Sequence, residues 1–194
     1  MQWLNEPAAW REEDGRIAVT ARGRTDFWRR THNDEIHDDG HFYHRPVTGD
    51  FTILIEVAGR YRDQYDQAGI MIRVSETTWL KCGIELVGGV QQASVVCTRE
   101  YSDWSVLPLG EPQAPGEPQA PGPPAVWFRA EYLGGMVEVS YSLAGDAFSM
   151  LRRAWLAPPD EHGLTAGIMI ASPRGPGFEA VFRHLEIRPS SYAV

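Results

Sequence analysis

Residues 79–86, Trp-Leu-Lys-Cys-Gly-Ile-Glu-Leu, alternate strictly between the two faces of an extended chain. A period of two is the signature of a strand with one face in the core, and it is incompatible with the 3.6-residue stripe of a helix. Cys82, Ile84 and Leu86 point one way; Lys81, Gly83 and Glu85 point the other. Residues 93–99 form a second run after Gly88-Gly89 and read as the hairpin partner. A turn centred on Gly89-Val90 predicts Cys82 opposite Cys97, Ile84 opposite Val95, Glu85 opposite Ser94 and Lys81 opposite Thr98. An acid, an amine and two hydroxyls then share one patch. Such a patch suits a polar ligand, and it equally suits an ordinary solvated sheet face.

The same period recurs along the chain. Residues 17–21, 51–57, 126–132, 136–143, 147–155, 164–171 and 178–187 read as further strands, and 68–74 as a central strand covered on both sides. Gly134-Gly135 and Ala144-Gly145-Asp146 supply tight turns between neighbours. The pentapeptide Ala-Gly-Ile-Met-Ile occurs at 68–72 and again at 166–170. Glycine followed by bulky alternation fits two central strands where another backbone approaches closely. About ten strands at this spacing predict an all-β fold, a two-sheet antiparallel sandwich or jelly roll. With 194 residues, 43% of them hydrophobic, one domain spanning 1–194 is expected. Within it, Gly110-Glu111-Pro112-Gln113-Ala114-Pro115 is copied at 116–121, and seven of the fourteen prolines fall between Pro108 and Pro124. This predicts a projecting loop over about 108–124, because proline removes ladder donors.

A net charge of −8 disfavours a nucleic-acid partner. No run approaches the roughly 20 apolar residues of a membrane span, and the N-terminus has no basic-then-apolar leader. The expectation is a cytoplasmic protein without a membrane or nucleic-acid partner. Cys82 and Cys97 are the only two cysteines. The register above makes a disulfide geometrically conceivable, whereas a cytoplasmic setting predicts two buried thiols.

Four of the six histidines, His32, His37, His41 and His44, crowd residues 31–44 together with Asp34, Glu35, Asp38 and Asp39. Their spacing matches no zinc pattern, and Asp38-Asp39-Gly40 is only a fragment of a calcium loop. A polar loop over one rim of the sandwich is expected there, with no metal and no cofactor. Nucleotide chemistry lacks its glycine-rich loop, and there is no G-x-S-x-G elbow. Glycoside hydrolysis needs two carboxyls about 5 to 10 Å apart. The polar face Lys81-x-Gly83-x-Glu85 carries one acid, so a partner would have to come from Asp66, Asp103 or Glu56. No catalytic residue is assigned.

Aromatic residues beside polar ones carry a stronger signal. Thr25-Asp26-Phe27-Trp28 closes one segment, and Tyr101-Ser102-Asp103-Trp104-Ser105 follows the second strand of the hairpin. Sugars are held by a ring against their C–H face and by a few polar groups that fix orientation. The candidate ligand-binding set is Asp26, Trp28, Asp66, Gln67, Lys81, Glu85, Thr98, Asp103 and Trp104. Core or rim packing is the alternative role for each tryptophan.

These segments, with Gly49-Asp50-Phe51, residues 65–73, residues 79–85, Ser172-Pro173 and Gly177-Phe178, resemble the family called domain of unknown function 1349. That family is also labelled "regulation of enolase" after a fungal member. The resemblance runs from about Trp3 to Ile187. It implies a concanavalin A-like lectin/glucanase sandwich and marks Asp66, Gln67, Lys81, Glu85, Asp103 and Trp104 as recurrent motif positions. It implies no activity, and the proline repeat departs from its pattern. Three functions follow as expectations: a non-catalytic carbohydrate-binding protein, a regulatory module with a protein partner, and an atypical glycoside-active enzyme.

Overall fold

The computed structural model describes residues 1–110, 125–159 and 163–190. The tandem proline repeat, apart from its first residue Gly110, therefore lies outside the described residues. In chain order the strands are β1 (Gln2–Leu4), β2 (Ala9–Glu13), β3 (Arg16–Thr20), β4 (Phe27–Arg29), β5 (Ile36–Asp38), β6 (His41–Val47), β7 (Phe51–Gly59) and β8 (Gln67–Ser75). They continue as β9 (Thr78–Val87), β10 (Val90–Arg99), β11 (Tyr101–Pro108), β12 (Val126–Leu133), β13 (Met136–Ser142), β14 (Ser149–Trp155), β15 (Leu164–Ala171) and β16 (Glu179–Pro189). There is no α-helix among the described residues.

Two seven-stranded antiparallel sheets form the sandwich, in the orders β1-β6-β15-β8-β9-β10-β11 and β14-β13-β12-β7-β16-β3-β2. Strand β12 shows the physical logic most simply. Its sequence Val-Trp-Phe-Arg-Ala-Glu-Tyr-Leu buries every second residue, starting at Val126. The main core lies between the sheets, where Ile53, Ile55, Val57, Phe128 and Phe182 meet Ile70, Ile72, Leu80, Ile84, Val95 and Ile168.

The repeated pentapeptides turn out to be neighbours. Strands β8 and β15 pair antiparallel about Ile70 and Ile168, so Gly69 faces Met169 and Gly167 faces Met71. The expected pair of central strands is therefore one pair, hydrogen-bonded to itself.

Three expectations need correction. The β9–β10 turn centres on Gly88-Gly89, whose φ angles of 59° and 80° are those a two-residue hairpin demands. The register is consequently two residues away from the expected one. Cys82 lies opposite Val95, Cys97 opposite Leu80, Lys81 opposite Val96, Glu85 opposite Gln92 and Thr98 opposite Trp79. A shift of two keeps every side chain on its expected face but separates the cysteines, which are free and buried.

The histidine-rich stretch is not simply a rim loop. Within it, Ile36–Asp38 form β5, and from His41 it enters β6, which pairs with both β1 and β15. His41 accepts a hydrogen bond from the Arg22 N–H at Nε2 (2.9 Å) and meets the Asn5 carbonyl at Nδ1, while His44 stacks on Phe42 at 4.6 Å. No group of three or more His, Cys, Asp or Glu side chains among the described residues is placed to hold a metal ion.

The third correction positions the site. Strand β9 is buried on both faces from Trp79 to Leu86, so its polar face is covered and not solvated. The cover is a small hairpin of β4 and β5, separate from both sheets. Phe27 descends from it into a second apolar cluster with Phe42, Met71, Trp79, Val96, Met169 and Ala171 on the outer side of the sheet, away from the main core. Burying a ring of that size contributes about 2 kcal/mol. This face of the sheet is thus mostly apolar under the hairpin, around Trp79 and Val96, and polar beyond its edge, at Glu85 and Ser94.

Candidate functional site

Beyond the hairpin, three cross-strand rows define what this outer face offers. The central row runs Met169, Gly69, Gly83, Ser94 across β15, β8, β9 and β10. Beside it runs Gln67, Glu85, Gln92, and on its other side Met71, Lys81, Val96, Trp104. Gly69 and Gly83 are direct cross-strand neighbours, and a Cβ on Gly83 would stand 2.2 Å from the Ala68 carbonyl oxygen. With no side chains at its centre, the row sinks into a depression lined by Gln67, Lys81, Gly83, Glu85, Ser94 and Met169.

Lys81 fastens the hairpin to this depression. Its Nζ donates to the Phe27 carbonyl (2.6 Å) and to Asp26 Oδ1 (3.2 Å), and it sits 5.6 Å from the centre of the Trp79 ring. Asp26 Oδ1 also accepts from Gln67 Nε2 (3.1 Å) and from the Phe27 N–H (2.7 Å). The side chain of Lys81 is only 6% exposed, so this ion pair is nearly dry. Lysine occurs once in the chain, against seventeen arginines, and it occurs here. Arg73 holds the second strand at the same open end of the hairpin, through a paired contact to Asp38, the cross-strand partner of Phe27, with Nη2–Oδ2 at 2.8 Å.

Glu85 stands at the opposite wall. Its Oε2 accepts from Ser94 Oγ (2.6 Å) and from the indole Nε1 of Trp104 (3.0 Å), and the same N–H approaches Ser94 Oγ at 3.1 Å. Burial pushes the Glu85 carboxyl above its usual range, and Asp26 adds to the rise, against the Lys81 charge and the two hydrogen bonds. Trp104 is flanked edge-to-face by Trp28 (6.5 Å) and Tyr65 (6.1 Å), and remains 37% exposed at the rim.

Of the residues singled out in the sequence, Asp26, Gln67, Lys81, Glu85 and Trp104 come together, with Trp28 beside them. Three do not join. Asp66 is fully buried on the other side of the chain from Gln67, where it accepts from the N–H groups of Arg62 and Asp63 (both 3.0 Å) and from Ser172 Oγ (2.6 Å). It clasps a loop. Thr98 is on the same outer face but under the hairpin, bonded to Ser102 at 2.8 Å. Ser102 Oγ in turn accepts the Arg29 N–H at 3.0 Å. Asp103 cannot share a face with Trp104, its neighbour in a strand, and instead pairs with Arg152 on β14 at 2.6 Å.

Sequence reasoning missed Gln92, Tyr65 and Met169. Gln92 could have been found by counting two residues back from Ser94 on the alternating face. Tyr65 precedes β8 with a φ of 71° and reaches Trp104 only through that turn. Nothing local marks Met169, which arrives through the pairing of the two pentapeptides.

The family model described as "Protein of unknown function (DUF1349)" matches residues 3–190. A protein of Saccharomyces cerevisiae named "Regulation of enolase protein 1" is 33% identical over 180 residues, spanning 93% of this chain and 85% of its own. A crystal structure of a functionally unknown S. cerevisiae protein superposes with a TM-score of 0.87 at 30% identity, over 97% of this chain and 96% of that one. The bifunctional GH43-CE protein of Bacteroides eggerthii shares the fold at 16% identity and a TM-score of 0.69. There, 98% of this chain matches 24% of a much longer one. By its family match and its yeast relative, the chain belongs to the DUF1349 family.

Proposed function

We propose that this protein is a non-catalytic carbohydrate-binding domain whose site is the depression between the β4–β5 hairpin and Trp104. One observation carries the reading: Glu85 and Ser94 fix Trp104 by its N–H beside a glycine floor edged with polar oxygens. A ring with a fixed edge offers area at little entropic cost, and polar groups beside it fix orientation. Asp26 supports the non-catalytic reading. Its Oδ1 already accepts three N–H bonds, one from Lys81, and serves as a structural anion. The cytoplasm is the compartment proposed for this activity.

The name of the yeast relative favours a second reading, a regulatory module that docks a protein. Edge strand β11 exposes Tyr101, Trp104, Val106 and Leu107, which suits such a contact.

The single lysine makes the first reading directly testable. Protein labelled with ¹⁵N at lysine gives one backbone amide signal, from Lys81 on the site wall. Titration with mono- and oligosaccharides is expected to shift that signal in the parent and not in Trp104→Ala. A signal unmoved by every sugar, in a protein that melts cooperatively, would end the carbohydrate reading and turn attention to β11.

A further inference from the structure

We infer that the depression selects ligands that present hydrogen-bond donors, neutral hydroxyl-rich or amine-bearing sugars, and rejects their phosphorylated and carboxylate-bearing counterparts. The inference rests on the binding reading above and names the chemistry of its ligand.

The argument is an inventory of donors and acceptors. Lys81 Nζ gives two of its three hydrogens to Asp26 and the Phe27 carbonyl. Gln67 Nε2 turns both of its donors inward, to Asp26 Oδ1 (3.1 Å) and the Tyr65 carbonyl (3.2 Å). Trp104 Nε1 and Ser94 Oγ are both spent on Glu85. The side-chain donors of Lys81, Gln67, Trp104 and Ser94 are therefore consumed by the protein, save one ammonium hydrogen.

The acceptors are in the opposite state. Among the described residues no donor reaches Glu85 Oε1, Gln67 Oε1 or Asp26 Oδ2, because the bonds to these groups fall on their other atoms. Gln92 adds an independent observation. Its side chain stands beside Glu85 in the cross-strand row, is 8% exposed, and has an Oε1 that is buried without a partner. A buried acceptor without a donor is costly, and native proteins leave few of them. A ligand hydroxyl or ammonium would satisfy these oxygens.

An anion would not. Lys81 is neutralised by Asp26 and Arg73 by Asp38, so neither cation is available to a phosphate. The phosphate would bring acceptor oxygens to an acceptor-lined site in a chain of net charge −8.

The test compares one ring in four chemical forms. Glucose, glucosamine, glucose 6-phosphate and glucuronate, and the matching galactose and mannose series, are titrated into the ¹⁵N-lysine protein. The expected result is that the neutral or amine form binds at least tenfold more tightly than the phosphate and the uronate. Anionic forms binding equally well or better would overturn the inference while leaving carbohydrate binding intact. No shift from any member of any series would instead count against the binding reading itself, and this inference would fall with it. Gln92→Leu supplies a second readout. It should weaken the best ligand severalfold while leaving the melting temperature unchanged or higher, since it removes an unsatisfied acceptor. Unchanged affinity would overturn the place of Gln92 in the site.

Discussion

Trp104 and Glu85 are joined by a hydrogen bond of 3.0 Å that crosses from β11 to β9 over the intervening strand. The ring at the rim and the acid at the wall therefore act as one unit, with Ser94 of β10 beneath both. Trp104→Phe keeps a ring and removes the N–H. Because the indole is partly solvated, the expected loss of stability is small, about 1 kcal/mol. The Glu85 carboxyl, stripped of one donor, should titrate higher still. Carboxyl-selective NMR of Glu85 in the two proteins checks this; an unmoved titration would show that the bond does not hold the acid.

Glu85 also gives a pH dependence with a definite sign. Its folded pKa is raised above the unfolded value of about 4.5, chiefly by burial. The folded state therefore binds the proton more tightly. The stability from that proton is fully present below the unfolded pKa and is lost as pH rises through the folded one. Glu85→Gln retains an oxygen for Ser94 and Trp104 and carries no charge. The variant should match the parent near pH 4 and melt at a higher temperature than the parent at pH 7.5. Melting curves at both pH values decide it, and a variant less stable than the parent at pH 7.5 would mean that the charge is needed by Lys81.

Much of this was legible in the sequence because strand alternation is a strong and local signal. Residues 79–86 placed Lys81 and Glu85 on one face, and the structure keeps them there despite the two-residue change of register. What covers that face was not legible. Strands β4 and β5 are three residues each, in a polar stretch whose backbone takes left-handed φ at Arg30, His32 and Asp34. No periodicity can show in so short an element, and its stability comes from the packing of Phe27 on Met71 and Trp79 and from Lys81 and Arg73, which are contacts from far along the chain. Asp103 was misjudged for the opposite reason. The alternation rule was available, but residues 101–105 read only as a segment following the hairpin, whereas as part of β11 they put Asp103 and Trp104 on opposite faces.

Lys81 is the rivet of the hairpin, and Lys81→Met should expose this. The variant keeps the buried stem and leaves the Phe27 carbonyl without its donor and Asp26 without its cation. Breaking a nearly buried pair at one end costs about 2 to 4 kcal/mol. The loss should be uneven: hydrogen exchange should accelerate across residues 26–39 and remain slow in β8, β9 and β15. Uniform acceleration throughout both sheets would show that Lys81 supports the sandwich and not the hairpin in particular.

Gly83 tests the floor of the depression. Its Cα faces Gly69, and a methyl group added there would stand 2.2 Å from the Ala68 oxygen and 2.6 Å from the Gly69 Cα. Both obstacles are backbone in a central strand pair, so neither can rotate away as a flexible side chain would. Gly83→Ala should therefore cost about 2 to 3 kcal/mol or more, at the upper end for overpacking by one methyl group. Denaturant unfolding gives that number directly. Gly88→Ala offers the contrast: nothing lies within 4 Å of its added methyl, and its cost should come only from its φ of 59°. If the two variants proved equally stable, the close approach of β8 and β9 would not be what reserves position 83 for glycine. The glycine floor would then have to be explained by what occupies it.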